Sequence, residues 1–75
     1  MRRKTDIYLR WVAWWEEDQT YIGHCPDLLL GGVHGDDPLK VARELQKVID
    51  EWEIIFESDS LQLPPARVKP TIEFV

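Results

Sequence analysis

Seventy-five residues, 44% of them hydrophobic, with one cysteine and a net charge of −5, make one small domain (1–75) that buries only about 60% of its unfolded surface. The single cysteine excludes an internal disulfide and fits a reducing compartment, which leaves a metal or self-association as support for so small a core. The acidic balance argues against a general nucleic-acid binder, which needs a basic face to neutralise phosphates. Arg2-Arg3-Lys4 is basic, but no apolar signal-peptide core follows it. No run reaches the ~18 apolar residues of a spanning helix. A soluble, cytoplasmic protein with no membrane partner is therefore expected.

Residues 6–15, DIYLRWVAWW, are rich in Ile, Tyr, Trp and Val and predict a strand. Ile7, Leu9, Trp11, Ala13 and Trp15 form a wholly apolar alternating set, assigned to the core face. Tyr8, Arg10, Val12 and Trp14 form the mixed set on the other face. Glu16 to Gln19 is a polar turn, and residues 20–25, TYIGHC, return as the second strand of a hairpin. Its register has two solutions, with Thr20, Ile22 and His24 inward or Tyr21, Gly23 and Cys25 inward. The second is favoured because Gly23 and Cys25 are small enough to let a helix approach. Pro26 ends the ladder, Asp27 to Leu30 form a loop, and Gly31 to Gly35 predict a short third strand that its glycines weaken.

The helix is the clearest element. Asp37 is an N-cap and Pro38 suits the first helical position. Val41, Ala42, Leu45, Val48, Ile49, Trp52, Ile55 and Phe56 form one apolar stripe, with an end expected near Glu57. Leu63-Pro64-Pro65 and Pro70 mark an extended connector, and residues 71–75, TIEFV, predict a last strand. The order is β-β-β-α-β: an α+β fold with a small mixed sheet and one helix packed on one face. A right-handed crossover would make the last strand parallel to the third. Tyr8, Trp14 and Tyr21 or Ile22 are left on a face with no cover. Exposed aromatic patches mark interfaces, so a homo-oligomer or another partner is expected.

The stretch Tyr21–Pro38 gathers both histidines, the cysteine and all four glycines. His24 and Cys25 are adjacent in a strand and point to opposite faces, so they do not serve one ion. His24 and His34 approach only if their strands pair, and no zinc-type ligand spacing is present. A Cys25–His34 nucleophilic pair is open geometrically, but a buried thiol is usually inert. Asp36 and Asp37 at the helix start would repel a phosphate, and no phosphate-loop signature is present. The topology opens like a ribonuclease-H-like fold. Two-metal hydrolysis, however, needs an acidic residue in the middle of the first strand, and Asp6 lies only at its edge. No catalytic residue, cofactor or metal site is expected.

Tyr21-Ile22-Gly23-His24-Cys25-Pro26-Asp27-Leu28, then Gly32-Val33-His34-Gly35-Asp36-Asp37-Pro38, then a helix with Val41-Ala42 near its start and Leu63-Pro64-Pro65 beyond it, resemble the HicB antitoxin family over residues 7–70. Leu29-Leu30-Gly31-Gly32 stands where that family has proline, glycine and cysteine. Asp37 replaces a threonine and keeps the capping role, and Leu39-Lys40 stands where two acidic residues are common. The DNA-binding segment of many family members is not among these residues, so direct nucleic-acid binding is not expected. The resemblance implies a non-enzymatic, partial ribonuclease-H-like domain of a type II toxin–antitoxin system. It would bind and cover a small basic HicA-like RNA-cleaving toxin, helped by charge complementarity. Partner contacts are expected at Trp14 and on the acidic helix face at Asp50, Glu51 and Glu53. One alternative is an orphan oligomeric domain of the same fold acting in protein assembly or regulation. Another is a small enzyme, for which His24, Cys25 and His34 are the only support.

Overall fold

The computed structural model describes residues 3–29 and 31–68. The first strand is shorter than its composition predicts, because Lys4–Ile7 forms a 3-10 turn. Asp6 reaches back to accept the Arg3 backbone N–H at 2.9 Å, a local alternative to extended pairing. β1 therefore spans only Trp11–Trp15, followed by β2, Thr20–His24, and β3, Val33–Gly35. The three strands form an antiparallel meander in the order β1-β2-β3. Four residues, Glu16 to Gln19, make the β1–β2 turn, with Gln19 in the left-handed region at φ 50°. Trp11 lies opposite His24, Val12 opposite Gly23, Ala13 opposite Ile22, Trp14 opposite Tyr21 and Trp15 opposite Thr20. Tyr21, Ile22 and Gly23 in turn face Gly35, His34 and Val33.

The helix α1 runs Pro38–Ser58, matching the expected bounds. Asp37 Oδ1 caps it by accepting from the Leu39 N–H at 2.9 Å. At the other end the Leu61 N–H donates to Phe56 O at 2.8 Å and the Ser60 N–H to Glu57 O at 3.2 Å. These are the paired bonds of a Schellman ending, with Ser60 at φ 54° in the position usually given to glycine. Only Val41, Leu45 and Ile49 of the apolar stripe are buried. Val48 and Phe56 are half-buried, while Ala42, Trp52 and Ile55 are exposed. A three-stranded sheet whose third strand has three residues is too narrow to cover a wider stripe.

The helix lies on the face that carries Gly23. A Cβ built there would stand 3.1 Å from Val41 and 3.2 Å from Leu45, so glycine sets the helix-to-sheet distance. The favoured register of β2, with Tyr21, Gly23 and Cys25 toward the helix, is therefore the observed one. The expected core face of β1 is not. Its partner residues put Val12 and Trp14 on the helix side, and Trp11 and Trp15 on the open face at 41% and 47% exposure. Ile7 is 60% exposed and Tyr8, expected on the open face, is 2% exposed. The alternation fails because residues 4–10 are not one continuous strand with 11–15, so side-chain parity does not carry through.

Tyr8, Cys25, Leu45 and Ile49 form the core, with Leu28, Leu29, Val33, Leu63 and Ala66 packed against it. The Tyr8 hydroxyl donates to Pro64 O, which satisfies a buried phenol. Asp27 Oδ2 accepts the backbone N–H groups of Arg67 and Val68 at 3.0 and 2.9 Å, fastening the connector beside the β2–β3 loop. The expected last strand, 71–75, on which the mixed character of the sheet depends, lies outside the described residues. What the structure shows is an α+β fold with a three-stranded antiparallel sheet and one helix packed on one face. No described helix is long and apolar enough to cross a membrane.

Candidate partner-binding surface

A meander brings the β1–β2 turn and the exit of β3 to the same end of the sheet. The Thr20 hydroxyl fixes this junction by donating to Gly35 O at 3.0 Å. Glu16, Glu17 and Asp18 from the turn, Asp36 after β3 and Glu44 on the helix are all exposed. Lys40 and Arg43 are the cations on the adjoining helical turns, so the end is net negative. Two indoles border it from opposite faces of β1. Trp14 is 45% exposed and Trp15 47%. Trp14 meets Tyr21 edge-on with ring centroids 4.9 Å apart, and its Nε1 donates to Glu16 Oε2 at 2.6 Å. A shallow cleft of about 250 Å³ lined by His34, Asp36, Asp37, Lys40 and Glu44 adjoins the same end. Carboxylates ringed with flat apolar surface suit docking of a basic protein, where charge steers the approach and the aromatics supply the buried contact.

The three helix carboxylates expected beside Trp14 lie elsewhere. They sit nine to twelve residues beyond Val41, which packs on Gly35, or about 14–18 Å along the helix. Two of them hold the N-terminal segment. Asp50 pairs with Arg3 and accepts from Gln46 Nε2 at 2.9 Å. Glu53 accepts from the buried Thr5 hydroxyl at 3.1 Å. Glu51 alone of the three is exposed. Arg10 adds to the same seam, donating to Gln46 Oε1 at 2.8 Å and to Thr5 O. The acidic end was foreseeable from topology alone. In a three-stranded meander the first turn and the residue after the third strand must share an end, and both are acidic here.

The histidines and the cysteine do not converge. Cys25 is 1% exposed on the helix side. Burial pushes its thiol above the usual value, with Asp27 adding to the rise and Arg10 opposing it. That is the reverse of what an activated nucleophile needs. Burial likewise raises the Tyr8 phenol, with smaller contributions from Asp27 and Cys25. His24 lies on the open face, stacked on Trp11 with centroids 5.0 Å apart. His34 is on that face too, one strand away and diagonal to His24, a spacing of about 7–8 Å between such positions. Among the described residues no group of three His, Cys, Asp or Glu side chains is placed to hold a metal ion.

Comparison with protein-family models, with curated proteins and with solved structures finds no match.

Proposed function

We propose that this chain is a non-catalytic, cytoplasmic, HicB-like antitoxin domain that binds and inhibits a small basic HicA-like RNA-cleaving toxin. The observation that supports this reading is the acidic, tryptophan-bordered end built from Glu16, Glu17, Asp18 and Asp36 with Trp14. It offers a basic protein both long-range attraction and a desolvated contact. The motif resemblance supplies the partner class, and self-association through the aromatic face that no described residue covers belongs to the same reading. Trp14 remains in the proposed site, while Asp50 and Glu53 are replaced by the carboxylates of the β1–β2 turn.

The test is a binding titration against the protein encoded beside this one, with an RNA-cleavage assay of that neighbour with and without the chain. Tight binding with loss of cleavage is expected. Reversing the turn charges (Glu16→Lys with Glu17→Lys) should slow association about tenfold or more at low salt, and Trp14→Ala should speed dissociation. Absence of binding, or binding that leaves cleavage intact, sinks the reading. The second reading, an orphan domain acting in assembly, is favoured by the aromatic face opposite the helix, charge-free among the described residues, and survives that result.

A further inference from the structure

We infer that residues 3–10 form an electrostatic strap that lifts from the helix while the sheet and the helix stay folded, and that its lifting gives solvent access to the Cys25 thiol. The inference goes beyond the proposed function, because the strap lies at the end of the sheet away from the acidic turn.

The strap makes no ladder pairing among the described residues, and its regular structure is the 3-10 turn Lys4–Ile7. Side chains hold it instead. It carries three cations, Arg3, Lys4 and Arg10, and its one carboxylate, Asp6, is turned back onto the Arg3 N–H. The helix meets it with Gln46, Asp50, Glu53 and Glu57, whose spacing of four, three and four puts them on one face. Arg3 pairs with Asp50, and Lys4 Nζ stands 3.6 Å from Glu57 Oε1. The Thr5 hydroxyl donates to Glu53 Oε2, and Arg10 donates to Gln46 Oε1. A basic segment thus lies on an acidic helix stripe.

The balance of apolar and polar contacts lets this unit open on its own. Of the strap residues only Thr5 and Tyr8 are buried. The Arg3 and Lys4 side chains are 56% and 71% exposed, and ion pairs so exposed contribute little and are screened by salt. Segments with few buried apolar contacts open at lower cost than the whole molecule unfolds. The helix, by contrast, is seated through the buried Val41, Leu45 and Ile49, with Val41 and Leu45 against Gly23.

The strap covers the thiol. Tyr8 shares a core cluster with Cys25, Leu45 and Ile49. Cys25 is near enough to help raise the Tyr8 phenol, and Arg10 is near enough to oppose the rise of the thiol. Leu63 and Ala66 of the connector pack on the same cluster. The Tyr8 hydroxyl joins strap to connector at Pro64 O, but the connector has its own fastening at Asp27. Lifting the strap therefore leaves the connector pinned and uncovers Cys25 from the Tyr8 side.

The test is the rate at which N-ethylmaleimide, an uncharged reagent, labels Cys25 in the full chain. Labelling through the strap should depend on urea with less than half the slope of global unfolding, because that slope scales with the surface exposed. It should run at least tenfold faster than labelling of Val41→Cys in a Cys25→Ala background, where the thiol lies between helix and sheet. Raising NaCl from about 0.1 to about 1 M shortens the screening length from about 10 to about 3 Å. That should speed labelling at position 25 about threefold or more and not speed it at position 41. Asp50→Lys, which sets like charge against Arg3, should speed it about threefold or more at low salt. A urea slope equal to the global one, labelling no faster at 25 than at 41, or rates indifferent to both salt and Asp50→Lys overturns the inference. If a variant fails to fold, the urea slope and the salt response of the unmodified chain decide.

Discussion

The same three strands present two faces that differ more in size than in polarity. Toward the helix they show Gly23, Gly35 and Cys25, with Val12 and Val33 beside them and Trp14 and Tyr21 at the rim. Away from it they show Trp11, Trp15, Ile22, His24 and His34. The covered face is the one with the smaller residues along its middle, because a helix can descend on a sheet only where no side chain holds it off. Most of the aromatic area of the sheet sits where nothing in the described chain covers it, or at the rim. Hydrophobicity alone therefore picks the wrong face of β1, and the small Gly23 and Gly35 of the neighbouring strands pick the right one.

The contrast breaks first at Gly23. Gly23→Val would drive methyl groups into Val41 and Leu45, and is expected to cost about 3 kcal/mol by overpacking. Thermal denaturation would show this as a fall in Tm of about 12 °C or more. A change under about 1 kcal/mol would mean that the helix is not seated as described. Tyr8→Phe removes the donor to Pro64 O and leaves that carbonyl unpaired, for an expected loss of about 1–2 kcal/mol in a urea titration.

Alkaline pH should also act through the covered side. Cys25 and Tyr8 are both harder to ionise folded than unfolded. Below the ordinary values of 9.0 for the thiol and 10.0 for the phenol both states hold their protons, and the contribution is fully present. Above them the unfolded chain releases protons that the folded chain keeps, so stability falls as pH rises. Removing the thiol with Cys25→Ala should flatten the decline that begins at the lower value, and an unchanged slope would refute its assignment to Cys25. The smallest effect is expected on the open face. His34→Thr replaces an exposed strand residue with a β-branched one, and should move stability by no more than about 0.5 kcal/mol.

Most of the fold was legible. The Asp37-Pro38 start and the spacing of Val41, Leu45 and Ile49 fixed the helix, and the small Gly23 and Cys25 fixed the register of β2. The face of β1 was not legible, because Ile7, Leu9, Trp11, Ala13 and Trp15 alternate without a polar residue to mark the break at the 3-10 turn. The same break hid the seam in which Arg3 and Thr5 engage Asp50 and Glu53. A segment read as leading straight into a strand gives no reason for its side chains to reach a helix 48 residues away. Trp14 was expected to be exposed and is, but the carboxylates beside it come from a turn and a strand exit that only the topology brings together.

The clasp between Tyr8 and Pro64 bears on the order in which the molecule assembles. The β1–β2 turn closes over four residues and the helix over neighbouring turns, whereas this contact spans 56 residues and has a closure entropy of about 3–4 kcal/mol beyond the constant term. The hairpin and the helix are therefore expected to form the folding nucleus, with the N-terminal segment closing over it after the rate-limiting step. Tyr8→Phe would then leave the refolding rate nearly unchanged and accelerate unfolding. A stopped-flow chevron in which the refolding limb moves instead would place the clasp inside the nucleus.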